Sequence, residues 1–239
     1  MERLICVVGN KLTQFCINND HVKTVDNFKR YLCSAALKQQ DAGKLTAIIG
    51  QGVSDVQIDR VDRLIEKNKL ASRISIRIPA ERKNKAASIF THKRKSKNSM
   101  ISSPTAINEN VFESYLTLND QCAEMSDHVT GQHLQGMILV EAARQMTLAV
   151  TELFFLTAQN RKDVSFITHN LKSDFNEYVF PLDIKFRYEI IHHRKVGSAN
   201  AKFNVRIACI QDEKIKMNIE YVFSLLSGIF NQHHPQPLI

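Results

Sequence analysis

The densest chemistry in this chain lies in Ser126-Asp127-His128-Val129-Thr130-Gly131-Gln132-His133-Leu134-Gln135-Gly136. Two imidazoles, a carboxylate and two glycines lead straight into an apolar run beginning at Gly136. If that run is a helix, its first turn carries N–H groups without intrahelical partners and a partial positive charge. An imidazole, a carboxylate and such donors can take up a proton, deliver one, and hold a thioester oxygen. Farther along, Glu141, Arg144, Gln145 and Leu148 are spaced by three and four and so share one side of the helix. A charge on a buried helix costs several kcal/mol unless it is paired or opens into a cleft. Two readings stand at this point: a structural ion pair between Glu141 and Arg144, or a polar stripe that works together with the histidines. His128 and His133 are five apart in a loop with no thiol nearby, so no metal site is expected. Cys122 has no base placed beside it by sequence and reads as a core cysteine.

The elements that must position these residues fall into two groups. In residues 1–80, Leu4 to Val8 and Leu45 to Ile49 are short apolar runs ending at glycine, as buried strands do. Val25 to Leu37 has helical spacing, with Phe28, Leu32 and Ala36 four apart. Ser54-Asp55-Val56-Gln57 fits a capping box ahead of a second helix, whose apolar face is Ile58, Val61, Leu64 and Ile65. Arg73 to Ile78 alternates as a half-buried or edge strand. This β-α-β-α-β order predicts a small α/β unit with parallel strands. Gly50-Gln51-Gly52 could cradle a phosphate, but it matches neither the P-loop nor the dinucleotide fingerprint, and an ordinary tight turn is the better reading.

Downstream, Gly136 to about Ala158 is apolar almost all round, which places it inside a domain. Four strand signals follow. Val164 to Ile167 is the weakest. Asp183 to Ile191, Ala201 to Ile210 and Lys214 to Ser224 each alternate, the last with Ile215, Met217, Ile219, Tyr221 and Phe223 on one face. Turns at Gly197-Ser198-Ala199-Asn200 and Gln211-Asp212-Glu213 make them an antiparallel meander. One buried helix followed by an antiparallel sheet that wraps it is the layout of a hot-dog fold. The fold class is thus α+β, with residues 1–80 an α/β unit, 81–90 a basic linker, 91–230 the hot-dog domain and 231–239 a tail.

The formal charge of the 239-residue chain is +8, and the segment from Glu81 to Lys97 supplies most of it. Seven basic residues there (Arg82, Lys83, Lys85, Lys93, Arg94, Lys95, Lys97) face one acid, Glu81. Such a run can bind phosphate groups or simply lie in solvent. With no zinc finger, no aromatic RNP-type strand and no Trp, nucleic acid is not an expected partner. No apolar run approaches the roughly 18 residues that cross a bilayer, and the first residues lack the features of a signal peptide. Five scattered cysteines with no C-x-x-C pair point to a reducing, cytoplasmic setting rather than a disulfide framework.

Asp127-His128, Gly131-Gln132-His133 and Glu141-Ala142-Ala143-Arg144-Gln145 resemble the spaced D-H…G-x-H…E-A-x-R-Q signature of the A-factor biosynthesis (AfsA-like) hot-dog domain. His92-Lys93, then Asn98 and Asn110-Val111-Phe112, resembles that domain's opening H-K…N-V segment. The resemblance covers about Thr91 to Ser227, which would make most of the basic window the entrance of the domain. Members resembling the A-factor enzyme join a β-ketoacyl chain from acyl carrier protein to a glycerol-derived phosphate, giving butyrolactone-type signals. The best-known members carry two hot-dog repeats, whereas this chain shows one. Hot-dog 3-hydroxyacyl thioester dehydratases are more distantly similar, with a catalytic His and a helix acid, but Gln135 stands where they place proline before Gly136. The resemblance implies an acyl-thioester enzyme using His128, Glu141, Asp127 and His133 for catalysis. Gly136, Arg144, Gln145, His92 and Lys93 would bind substrate, with no cofactor. The expected partners are an acyl carrier protein or coenzyme A thioester and a second copy of the chain in a homodimer. The rival expectation is a non-catalytic module that binds an acyl ligand.

Overall fold

A computed structural model of the chain describes residues 2–34, 43–126, 131–196 and 200–227. The first unit is a four-stranded, wholly parallel sheet. Its strands are β1 (Arg3–Val8), β2 (Val22–Thr24), β3 (Leu45–Ile49) and β4 (Ile74–Arg77), in the order β2-β1-β3-β4. Three strands, β1, β3 and β4, were expected nearly as they stand; β2, three residues long, has no apolar run to announce it. Between them lie α1 (Thr13–Ile17), α2 (Val25–Cys33) and α3 (Asp55–Lys67). α2 ends at Cys33, with Ser34 already extended, short of the Leu37 expected from its periodicity; residues 35–37 lie outside the described residues. α3 starts on the expected capping box: the Ser54 hydroxyl accepts from Gln57 N–H while the Gln57 side chain accepts from Ser54 N–H. Ile5, Val7, Phe28, Leu32, Ala47, Ile49, Val61 and Ile65 form a core separate from the larger one downstream.

The second unit is an antiparallel six-stranded sheet in the order β5-β6-β8-β9-β10-β7. Its strands are β5 (Thr105–Ala106), β6 (Val111–Tyr115), β7 (Val164–Phe175), β8 (Lys185–Val196), β9 (Asn200–Gln211) and β10 (Lys214–Ser227). Two short helices, α4 (Ala80–Lys83) and α5 (Ala123–Ser126), precede the long central helix α6 (Gly136–Phe154). Twelve of the nineteen residues of α6 are buried. Ala142, Met146 and Ala149 of α6 share one core with Phe186, Tyr188, Val205, Ile207, Met217 and Phe223 of the sheet.

The strands depart from expectation in instructive ways. β7 is twelve residues long rather than four, because Thr168-His169-Asn170 and Lys172-Ser173-Asp174 are polar on both faces and hide the alternation. It is an edge strand, paired only with β10. In β10 the register shifts between Ile215 and Met217, which turns Ile215 out to 48% exposure and buries Lys216. α6 stops at Phe154, not Ala158, where Leu156 N–H folds back onto the Thr151 carbonyl. The turn from β9 to β10 holds Asp212 and Glu213 at φ of 53° and 59°, the backbone of a tight two-residue hairpin. The turn at 197–199 lies outside the described residues.

The segment expected as a solvated linker, 81–90, is folded. Ala86 is buried, donates to the Ile101 carbonyl and accepts from the Ser99 hydroxyl, while Lys85 bridges to Ser102. Ala86 and Phe90 among the charges supply the apolar surface for this packing. The two units meet through the Gly50-Gln51-Gly52 turn. The Gln51 side chain, 1% exposed, donates to the Leu116 and Leu182 carbonyls and accepts from Leu118 N–H. A Cβ on Gly9 would sit 2.5 Å from the Gly52 carbonyl oxygen, so two turns of the first unit lie backbone on backbone. The expected tight turn is thus a docking turn. Among the described residues, no helix is long and apolar enough to cross a membrane.

Candidate active site

α6 begins without a side-chain cap: Gln135 is extended at the N-cap and its side chain bonds nothing in the first turn. Ile138 and Leu139 N–H turn back to the Gln135 carbonyl, whereas Gly136 and Met137 N–H have no acceptor among the described residues. These two donors open on a groove of about 960 Å³, walled by Met137, Leu139, Phe175, Tyr178, Val179 and Phe180. A Cβ on Gly136 would lie 2.5 Å from the Phe175 ring, so any larger residue there would displace the exposed ring that lies over the helix start. His133 stands at the same wall, its ring 4.6 Å from that of Tyr178. Lys216, buried by the β10 register shift, pairs with Glu177 at the groove's rim.

Along the helix, Glu141 is the centre of an alternating charge chain. Its Oε2 accepts from Arg144 Nε at 2.6 Å; its Oε1 accepts from Arg144 at 2.8 Å, from Lys93 at 2.8 Å and from Gln145 at 3.0 Å. Lys93 also reaches Glu124 at 2.7 Å. Burial alone would push the Glu141 carboxyl up, but the hydrogen bonds from Arg144, Lys93 and Gln145 outweigh it and hold it down at about 2. Glu141 is therefore an anion throughout the neutral range. The fully buried Gln145 accepts from Met100 N–H at 2.8 Å and donates to the Asn98 carbonyl at 3.0 Å, clamping the 98–100 segment to the helix.

His92 parts company with its neighbour Lys93. Held at φ of 53°, it reaches the far end of α6, where its Nε2 lies 2.9 Å from Oε1 of the buried Glu152. Arg161 approaches the other Glu152 oxygen at 3.4 Å and also donates to the Glu152 backbone carbonyl. Glu141 and Glu152 are eleven residues apart, about 16 Å along the helix. So of the residues singled out by sequence, Lys93, Glu141, Arg144 and Gln145 form one cluster. His133 and Gly136 line the groove, and His92 belongs to a second cluster. Asp127 and His128 lie outside the described residues.

Both ends of the loop that carries them are gripped by the first unit. Lys11 Nζ donates to the Met125 carbonyl at 2.6 Å, and Phe15 N–H donates to the Gly131 carbonyl at 2.8 Å. Phe15 also stacks on Phe180, whose ring is 5.6 Å away at the groove. Lys11, Glu124 and Arg161 escaped the sequence reading because each meets its partner across the tertiary fold. The cysteines are all free, and burial pushes the Cys6 and Cys209 thiols up to about 12 and raises Cys122 as well. Cys122 is fully buried, as a core cysteine should be, and the burial that raises its pKa disfavours the nucleophilic thiolate.

A central helix packed on an antiparallel sheet, with a polar cluster on the helix and a groove at its start, defines a hot-dog protein. Residues 76–227 match the A-factor biosynthesis hotdog domain, which is more than half of the chain. The chain belongs to that family. No curated protein matches the sequence. Among solved structures, a thioesterase of Pseudomonas aeruginosa is 12% identical with a TM-score of 0.39, over 54% of this chain and 82% of that one. A thioesterase of Haemophilus influenzae is 14% identical with a TM-score of 0.39, over 56% and 82%. A hypothetical thioesterase with coenzyme A from Streptococcus pneumoniae is 11% identical with a TM-score of 0.35, over 52% and 87%.

Proposed function

We propose that the protein is an enzyme acting on an acyl thioester, a β-ketoacyl or hydroxyacyl chain carried on acyl carrier protein or coenzyme A. Its product in this reading is a butyrolactone-type signal or another secondary metabolite. The observation that carries the reading is the uncapped start of α6 at an apolar groove: two N–H donors with no acceptor among the described residues, beside His133. The acyl chain lies against Met137, Leu139 and Phe175, and the thioester carbonyl accepts from Gly136 and Met137 N–H. His128, oriented by Asp127, moves the proton, with His133 next to the reacting atoms. Glu141, anionic and fully engaged, fixes Lys93 and Arg144 and offsets charge rather than accepting a proton. Arg144 is 36% exposed at its side chain and donates to Glu141 alone among the described residues, which leaves it able to grip a phosphate on the second substrate.

A second copy completes the assembly in this proposal. The outer side of β7 has no strand partner among the described residues, with Leu171 and Phe175 exposed on it and Met137 and Tyr178 exposed beside it. Open edges with apolar neighbours are normally covered. Light scattering should then give twice the 27.3 kDa chain mass.

The test is mass spectrometry of the protein incubated with acyl-carrier and coenzyme A thioesters, with and without dihydroxyacetone phosphate. Turnover is expected, and His128→Ala should lower it by roughly 10²- to 10⁴-fold without unfolding the protein. Tight binding of the acyl ligand with no turnover, equal in wild type and His128→Ala, would establish the binding-module reading instead.

A further inference from the structure

A second pocket, of about 340 Å³, lies where the two units meet and shares no residue with the groove at α6. One wall is the start of α3 with Val53, Ser54, Asp55 and Ile58; the other is Thr117, Leu118 and Asn119, with Arg82 and Lys85 between them. Lys85 is half-buried, and among the described residues no carboxylate comes within ion-pair distance of its ammonium group. Thr117 is 4% exposed and its hydroxyl has no hydrogen-bond partner. Arg82 spends one amino group on the Ile49 and Gly50 carbonyls, while its buried Nε has no partner. Burial presses the Lys85 ammonium downward, with Asp55 acting against it.

The wall charges, Arg82 and Lys85 against Asp55, sum to +1; Asp183, outside the lining, also attracts Arg82, which leaves Lys85 as the cation most available to a ligand, and the positive end of the thirteen-residue α3 adds to it. The Ser54 hydroxyl and N–H are already spent in the capping box, so the anion's partners are the two cations and Thr117. Val53, Ile58, Ile78 and Leu118 supply an apolar lining next to the charges. We propose that this junction is a binding site for a phosphate monoester with a compact apolar body, held by Lys85, Arg82 and Thr117. A phosphate supplies several acceptor oxygens and up to two negative charges, which suits two cations better than a lone carboxylate does. The ligand touches α3 of the first unit and the 117–119 segment of the second, so its binding strengthens their docking.

The experiment is calorimetric titration and thermal unfolding of the full chain with phenyl phosphate, inorganic phosphate and phenol. Phenyl phosphate should bind tightest, inorganic phosphate more weakly and phenol not at all. Lys85→Met should weaken phenyl phosphate at least tenfold and abolish the ligand's rise in Tm. Thr117→Val should weaken it several-fold, and Lys85→Arg should restore binding. Lys95→Met, outside the pocket, should leave it unchanged. Binding that is equal in wild type, Lys85→Met and Thr117→Val, or no saturable binding of either phosphate, would overturn the proposal. Because Thr117→Val removes one hydroxyl at nearly constant volume, it keeps the test open should Lys85→Met fail to fold.

Discussion

The two units bury different things. In the first, the core of Ile5, Val7, Phe28, Ala47, Ile49, Val61 and Ile65 is joined only by the uncharged polar residues Thr24, Thr46 and Gln51 among the described buried ones, and the ion pair of Lys29 with Asp26 lies at the surface. In the second, Asp120, Glu152 and Lys216 are all buried, and Glu141 stands half-covered among three charged or polar neighbours, Lys93, Arg144 and Gln145. Burying charge is expensive and adds little to stability even when it is paired, since a well-packed apolar replacement often does as well. A core without buried charge is a scaffold; a helix that carries Glu141, Gln145 and Glu152 through a core accepts that cost along its length. The contrast separates the part of the molecule that holds from the part placed to act.

The largest expected effect tests the acting part. Glu141→Ala leaves Lys93 and Arg144 without their shared anion; breaking a buried pair costs about 3–5 kcal/mol, and the partial exposure of Arg144 places this loss at about 3 kcal/mol. Urea unfolding should show it, whereas Lys29→Ala on the first unit should change stability by no more than about 0.5 kcal/mol. The acid limb gives an independent reading. Glu141 is held at about 2 against an ordinary value of 4.5, so its contribution is complete above pH 4.5 and is lost as pH falls toward 2. That shift corresponds to on the order of 3 kcal/mol. Glu141→Gln should flatten this limb of the stability profile; an unchanged limb would place the acid-sensitive charge elsewhere.

A smaller effect is expected where the units meet. Gln51→Leu keeps the volume but strands the Leu118 N–H and the Leu116 and Leu182 carbonyls that Gln51 now satisfies. Losing these matched bonds should cost about 2–3 kcal/mol. The loss should show as separation of one unfolding transition into two, since the docking turn rather than either core is damaged. A single, merely shifted transition would mean that the two cores unfold together without that turn.

The sequence made the periodic elements legible and the polar geometry only in part. The capping box at Ser54, the apolar α6 and the inward alternation of β9 could be read because each is a local pattern, set by 3.6- and 2-residue periods. β7 was mostly hidden because an edge strand with two polar faces has no alternation to detect. Ile215 and Lys216 exchanged places because a register shift inverts the facing of side chains without any mark in the residue types. In the candidate site, Glu141, Arg144 and Gln145 were found together by helical spacing. That Lys93 joins Glu141 while His92 joins Glu152 depends on a positive φ at His92, which no composition rule foretells.

The finest test asks whether the scaffold reaches the chemistry. Lys11 belongs to the apolar-cored first unit, yet its ammonium donates to the Met125 carbonyl at the threshold of the 127–130 loop. Phe15 N–H holds the other end of that loop at Gly131. Lys11→Met keeps the aliphatic stem and removes one charged hydrogen bond at a partly exposed place, so stability should fall by only about 1 kcal/mol. If the loop must be held for His128 to meet its substrate, a displacement of about 1 Å is enough to cost far more in rate than in folding. On the thioester that the wild-type protein turns over, kcat should then drop about tenfold with KM nearly unchanged, because the groove walls at Met137 and Phe175 do not depend on Lys11. Lys11→Arg, which can still donate to the carbonyl, should recover most of that loss. A purely structural bond predicts the reverse: a lower Tm with kcat intact, and Lys11→Arg no better than Lys11→Met in rate. That outcome would confine the first unit to holding the fold together and leave the loop's geometry to the second unit alone.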